Sequence, residues 1–103
     1  MSEKQQNEVK VPCEKTMKYL AKLSIVNDKP IMMDYWLDSF GGDDANVLIG
    51  VRETQEKLLV RSEEEYTSSI SKIFKVPDTE AFIVITENSI YVVSSTIPTK
   101  RIS

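Results

Sequence analysis

Asp34, Asp38, Asp43 and Asp44 lie within one stretch, KPIMMDYWLDSFGGDD, from Lys29 to Asp44. Carboxylate oxygens are what hard cations such as Mg2+ and Ca2+ take as ligands. A metal loop is therefore one chemistry this stretch could carry. The spacing matches no calcium loop, in which a Gly follows three alternating acidic or amide positions. A solvated acidic loop after a strand accounts for the same residues without a ligand, so we expect no metal and no cofactor. The one Trp of the chain, Trp36, sits between Asp34 and Asp38. A Trp exposed among carboxylates suits contact with a basic peptide. Asp34, Trp36, Asp38, Asp43 and Asp44 form the first candidate binding surface.

There is no His and a single Cys. The usual general base at neutral pH is missing. Ser–His and Cys–His nucleophile pairs are excluded, and so are zinc sites built from His and Cys. The three Gly residues, Gly41, Gly42 and Gly50, form no phosphate cradle. An enzyme would have to rely on carboxylates, Lys or Tyr, or on a metal held by the Asp cluster. We read the chain as non-enzymatic and keep the metal-dependent enzyme as a third reading.

Lys72, Lys75, Lys100 and Arg101 make the last third mildly basic and form the second candidate surface, one for nucleic acid or an acidic partner. Charge works against it over the whole chain. Net charge is −3, and residues 29–65 carry nine acidic side chains against four basic ones. Non-specific nucleic-acid binding depends on Lys and Arg displacing counterions. Ser62 opens the sequence SEEE, which resembles an acidophilic-kinase site; an ordinary charged turn explains it as well. Tyr35, Tyr66, Phe74 and Tyr91 could add to an aromatic surface, but a small domain needs most of its rings inside.

These residues need elements to hold them. The chain has 103 residues, 41% hydrophobic and 28% charged, which fits one globular domain over residues 12–103 behind a flexible polar tail, residues 1–11. After Pro12, Cys13, Met17, Leu20 and Ala21 fall at helical spacing. Met17, Tyr19, Ala21, Leu23 and Ile25 also alternate, so we expect a short helix running into a strand near Leu23 to Val26. NDKP is a turn. IMMDYWL alternates, which predicts a strand with Ile31, Met33, Tyr35 and Leu37 inward and Asp34, Trp36 and Asp38 on the other face. VLIGV and EKLLV predict a hairpin, and YTSSISKIFKV a further strand. PDTE is a turn with Pro at its second position. AFIVIT and IYVVSS, joined by ENS, make the clearest hairpin. They are apolar on nearly every residue, so both faces should be covered at the centre of the fold. About six short strands at roughly ten-residue spacing predict a mainly β fold, a small SH3-like antiparallel barrel or bent sheet with a short N-terminal helix. The alternative is an α+β sheet with that helix packed on one face.

Nothing approaches the roughly 18 apolar residues of a membrane span, the N-terminus is too polar for a signal peptide, and one Cys suits a reducing compartment. The expectation is an intracellular protein with no membrane partner.

From about Asp28 to Ser103 the chain resembles small uncharacterised proteins of large nucleocytoplasmic DNA viruses. The resemblance lies in DKPIMMDYW, VLIGV, EKLLV, EEEYTS, KIFKV, TENSIYVVS and KRIS. It implies a protein made in an infected host cell and a place in the viral particle. It implies no activity and transfers no functional residue. The leading expectation is a protein-binding or structural assembly module that self-associates. A nucleic-acid-associated factor is the alternative.

Overall fold

The computed structural model describes residues 11–102. The tail expected over residues 1–11 lies outside the described residues, save for Val11. One long helix, α1 (Glu14–Asn27), starts the fold. Thr16, Leu20, Leu23 and Ser24 recur at helical spacing and turn inward, while Ile25 and Val26 stand in solvent. The strand expected at Leu23 to Val26 is therefore not formed. Burial at period 3.6 outweighs the weaker period-2 alternation that the same residues happen to show. Asp28 ends the helix in the left-handed region (φ 57°), its amide donating to the Ser24 carbonyl.

Among the described residues seven strands follow, in two sheets. The first holds β1 (Ile31–Met32), β6 (Ile90–Ser94), β5 (Ala81–Thr86) and β4 (Ile70–Lys75), in that order. The second holds β3 (Lys57–Val60), β2 (Leu48–Val51) and β7 (Thr99–Arg101). β1 runs parallel to β6 and β7 parallel to β2; the other pairs are antiparallel. The expected SH3-like barrel is corrected to a mixed α+β fold with two open sheets.

The reason lies in β5. Ala81, Ile83 and Ile85 face one way, into a core with Leu20, Trp36, Ile90 and Val92 beneath α1. Val84 faces the other way, into a core with Tyr35, Val47, Ile49, Leu59 and Val93 beneath the second sheet. Both faces of the β5–β6 hairpin are covered, as its composition demands, but by two different layers. A barrel would have only one interior for these side chains. The chain crosses between sheets after β3. Tyr66 still bridges to Val60, and the Thr67 amide donates to the Leu59 carbonyl, before β4 pairs with β5.

The hairpin turns follow their sequence chemistry. Thr86 Oγ1 accepts from the amides of Asn88 and Ser89 between β5 and β6. Between β4 and β5 the Thr79 amide donates to the Val76 carbonyl across Pro77 and Asp78. Asp78 has φ 62°, the conformation a type II turn needs at its third position.

Residues 31–46 depart most from expectation. Strand pairing stops at Met32, and the chain coils through two 3-10 turns, Leu37–Ser39 and Gly42–Asp44. In a coil the alternation rule lapses. Tyr35 and Trp36, neighbours in sequence, are both buried, while Leu37 is 55% exposed. Each ring enters a different core. Ser39 pins the coil: its buried hydroxyl donates to the Trp36 carbonyl at 2.6 Å and accepts from the Ser94 amide at 2.7 Å. Gly41 and Gly42 both take positive φ (116° and 57°) at the turn that follows.

Candidate functional site

The acidic candidates do not converge. Trp36 is 6% exposed and meets Phe40 edge to face at 4.8 Å, so it is a core residue and not part of an exposed aromatic face. Asp38 is held by Arg61 at 2.9 Å. Asp34, Asp43 and Asp44 are exposed. Among the described residues no three His, Cys, Asp or Glu side chains gather as ligands for a metal ion. The Arg61 guanidinium also lies 3.6 Å from Glu65 and 5.8 Å from the centre of the Tyr35 ring. Tyr35 stacks on Tyr91 and donates to Glu65 at 3.3 Å. Burial, and then the Glu65 charge, push the Tyr35 hydroxyl up to about 12. Burial, and then Asp34, raise Tyr91 as well. This cluster ties the coil to the loop after β3, and its charges are spent on each other. In the same loop Ser62 Oγ accepts from the Glu64 and Glu65 amides, so the hydroxyl caps a tight turn.

The basic candidates split. Lys72 and Lys75 lie on β4, an edge of the first sheet; Lys100 and Arg101 lie on β7, an edge of the second. β3, on the far side of its sheet from β7, is the strand that approaches β4. The four are thus not one face.

Lys72 and Lys75 have other neighbours. Lys72 pairs in register with Ile85 and Phe74 with Ile83, and both isoleucines face α1. Lys72 and Phe74 therefore project to the helix side of the sheet. On the helix, Lys15, Tyr19, Lys22 and Val26 fall at i, i+4, i+7 and i+11, one continuous stripe. Between stripe and strand runs a groove of about 360 Å3, with Leu23 and Ile83 among its apolar lining and Tyr19, Lys22, Phe74 and Lys75 on its banks. A shallower depression of about 270 Å3, framed by Lys15, Lys18, Tyr19 and Lys22, adjoins it. Tyr19 is 41% exposed and Phe74 is 39% exposed, so each ring is rooted in the protein and open on one side.

Lys22 and Lys75 thus line the groove, Lys15 and Lys18 frame the depression beside it, and Lys72 shares the face of β4 that carries Phe74. Lys15 meets Asp78 at 3.6 Å and Lys18 meets Glu14 at 3.7 Å, both exposed pairs that cost little to break. Lys75 donates to the Thr79 carbonyl. Lys22 and Lys72 form no ion pair among the described residues. Sequence reasoning missed Tyr19 and Lys22 because it read their segment as half strand; on a helix, the K-x-x-K-Y-x-x-K spacing from Lys15 to Lys22 marks the stripe directly.

A second concavity, of about 730 Å3, lies on the outer face of the second sheet. Leu48, Val60, Tyr66 and Ile102 line it, and Arg52, Arg61 and Glu63 stand around it. Gly50 makes room for Ile102 there: a Cβ at that position would come within 2.7 Å of Ile102 Cδ1.

At the N-terminus of α1, Cys13 is exposed, and its thiol is lowered from its ordinary value by hydrogen bonding to Thr16, side chain first and backbone second. Among the described residues no helix is long and apolar enough to cross a membrane. Comparison with protein-family models, curated proteins and solved structures finds no match.

Proposed function

We propose that this protein is a non-enzymatic binding module that works through the groove between α1 and β4 and takes an anionic partner. One observation carries the reading. Lys22 and Lys75, from two elements far apart in sequence, line one groove with two half-open rings, Lys15 and Lys18 frame the depression that adjoins it, and Lys72 stands on the same face of β4 as Phe74. The concavity on the second sheet has two cations, and both are already paired. Arg52 and Arg61 are engaged with Glu56, Asp38 and Glu65. The nine acidic side chains of residues 29–65 lie outside the lining of the groove, and Glu14 and Asp78 are carboxylates beside it. A reducing compartment suits a chain with one unpaired cysteine.

The test is titration of the 15N-labelled protein with polyphosphate, a polyanion without apolar parts. Amide shifts should concentrate on residues 15–26 and 70–77. The double variant Lys22→Glu/Lys72→Glu should weaken binding about a hundredfold, roughly tenfold for each lost charged contact. Shifts centred on β2 and β3, or affinity unchanged in the double variant, would refute the reading.

A second reading places self-association on the outer face of the second sheet. Its concavity is apolar and carries both charge signs nearby, Arg52 and Arg61 against Glu63, so a twofold axis could match the patch with its own copy. Solution mass that rises with concentration, and stays monomeric in Val60→Asp, supports it; a monomer at every concentration removes it.

A further inference from the structure

We infer that the anionic partner of the α1–β4 groove is a single strand of nucleic acid, with bases stacked on Tyr19 and Phe74 and the phosphate backbone tracked by the lysines. This inference rests on the proposed function and narrows it.

Three features distinguish a single strand from other polyanions. The first is the groove's apolar lining. Leu23 and Pro77 form its open part between the charged banks, over the buried Val76 and Ile83. A duplex keeps its base faces stacked inside and presents only phosphates and groove edges, so it would leave this lining uncovered. A single strand offers apolar base faces beside its charges, and each base can stack on an aromatic ring whatever its identity. The second feature is the position of the rings. Tyr19 rises from the helix bank and Phe74 from the strand bank, each open on one side. Rings on both banks let bases turn inward while the backbone stays outside.

The third feature is the kind and spacing of the cations. From Lys15 to Lys22 the helix rises about 10 Å, at roughly 1.5 Å per residue. That is enough to follow two or three successive phosphates. The four cations of the groove and its adjoining depression are lysines, mobile point charges that suit a moving phosphate backbone. A poly-acidic peptide offers charge without base faces for Tyr19 and Phe74 to stack on, so it is the less suited occupant. Among the described residues the lining of the groove holds no Arg, Asn or Gln to read a base edge, so recognition should be tolerant of sequence and sensitive to salt.

The experiment compares four labelled ligands of equal charge by fluorescence anisotropy: a 10-nucleotide oligo-dT, a duplex, an abasic deoxyribose-phosphate strand, and poly-Glu. Oligo-dT should bind most tightly, with the abasic strand and the duplex each about tenfold weaker or more. Log affinity should fall with log salt at a slope of about −2 to −3, for three or four phosphates contacted at about −0.7 each. Phe74→Ala and Tyr19→Ala should each cost about tenfold for oligo-dT and leave the abasic strand unchanged. Phe74→Trp should keep full affinity, which guards against a folding defect in Phe74→Ala. Equal binding of abasic strand and oligo-dT, or preference for the duplex or poly-Glu, would overturn the single-strand inference; if Lys22→Glu/Lys72→Glu still abolished that binding, the anion-binding groove would survive. Failure of all four ligands to bind would sink both.

Discussion

The groove between α1 and β4 and the outer face of the second sheet are both concave and both lined by apolar side chains, yet their charges are handled in opposite ways. Around the second sheet, Arg52 and Arg61 lie against carboxylates on nearby loops, and Arg61 is shared among Asp38, Glu65 and the Tyr35 ring. Those charges stabilise the molecule. Around the groove, Lys22 and Lys72 form no ion pair among the described residues, and Lys15 and Lys18 hold their carboxylates loosely at 3.6 and 3.7 Å. Charges left unsatisfied at a surface cost little in water and stay ready for a partner. Whether a charge is internally paired thus separates the part of this surface that serves the fold from the part we propose for recognition.

The comparison breaks most sharply at the two cores. Leu20→Ala should cost about 3 kcal/mol of stability, since Leu20 is fully buried and seats α1 on the sheet. It should also remove the groove by loosening its helical bank. Leu59→Ala, equally buried under the second sheet, should cost a similar amount and leave polyanion binding intact. Chemical denaturation paired with anisotropy reads both quantities. Next comes Lys22→Glu/Lys72→Glu, expected to cut affinity about a hundredfold while shifting stability by less than about 0.5 kcal/mol. Arg61→Ala should do the reverse, losing about 1 kcal/mol of stability with affinity unchanged. The smallest effect is one of pH. The Tyr35 hydroxyl is raised to about 12 in the folded protein, above its unfolded value near 10. The folded state therefore holds this proton more tightly. The stabilisation is fully present below about pH 10 and is lost as pH rises through 10 to 12. Tyr35→Phe should flatten that decline, and polyanion affinity measured below pH 10 should not change.

The β5–β6 hairpin, the β2–β3 hairpin, β4 and the Pro77 turn were all legible in the sequence, because their signals are local: alternation, β-branched runs and turn residues. The sheet that each strand joins was not legible. Pairing between β2 and β7 or between β1 and β6 is set by contacts far apart in the chain, and strand spacing is the same for a barrel and for two stacked sheets. The stretch from Ile31 to Leu37 misled for a different reason. Its alternation is real, but Ser39 and the two glycines hold it in a coil, where period 2 has no meaning. So Trp36 goes inside. The groove was half legible: Lys72 and Lys75 stood out, while their helical neighbours were hidden by an ambiguous periodicity and by a charge count averaged over the chain.

β4 is an edge strand with a bulge between Ile70 and Lys72. Its outward hydrogen-bonding groups would template a neighbouring chain if the edge were flat and apolar. The bulge twists it, and Lys72 and Lys75 place like charges on any copy that tries to dock alongside. The same two lysines therefore protect the protein against aggregation during synthesis and storage. Replacing both with apolar residues would be felt first as poor solubility, at concentrations where no partner is needed to reveal it. On the proposed function, the demand for a clean edge and the demand for an anion-binding groove fall on the same strand.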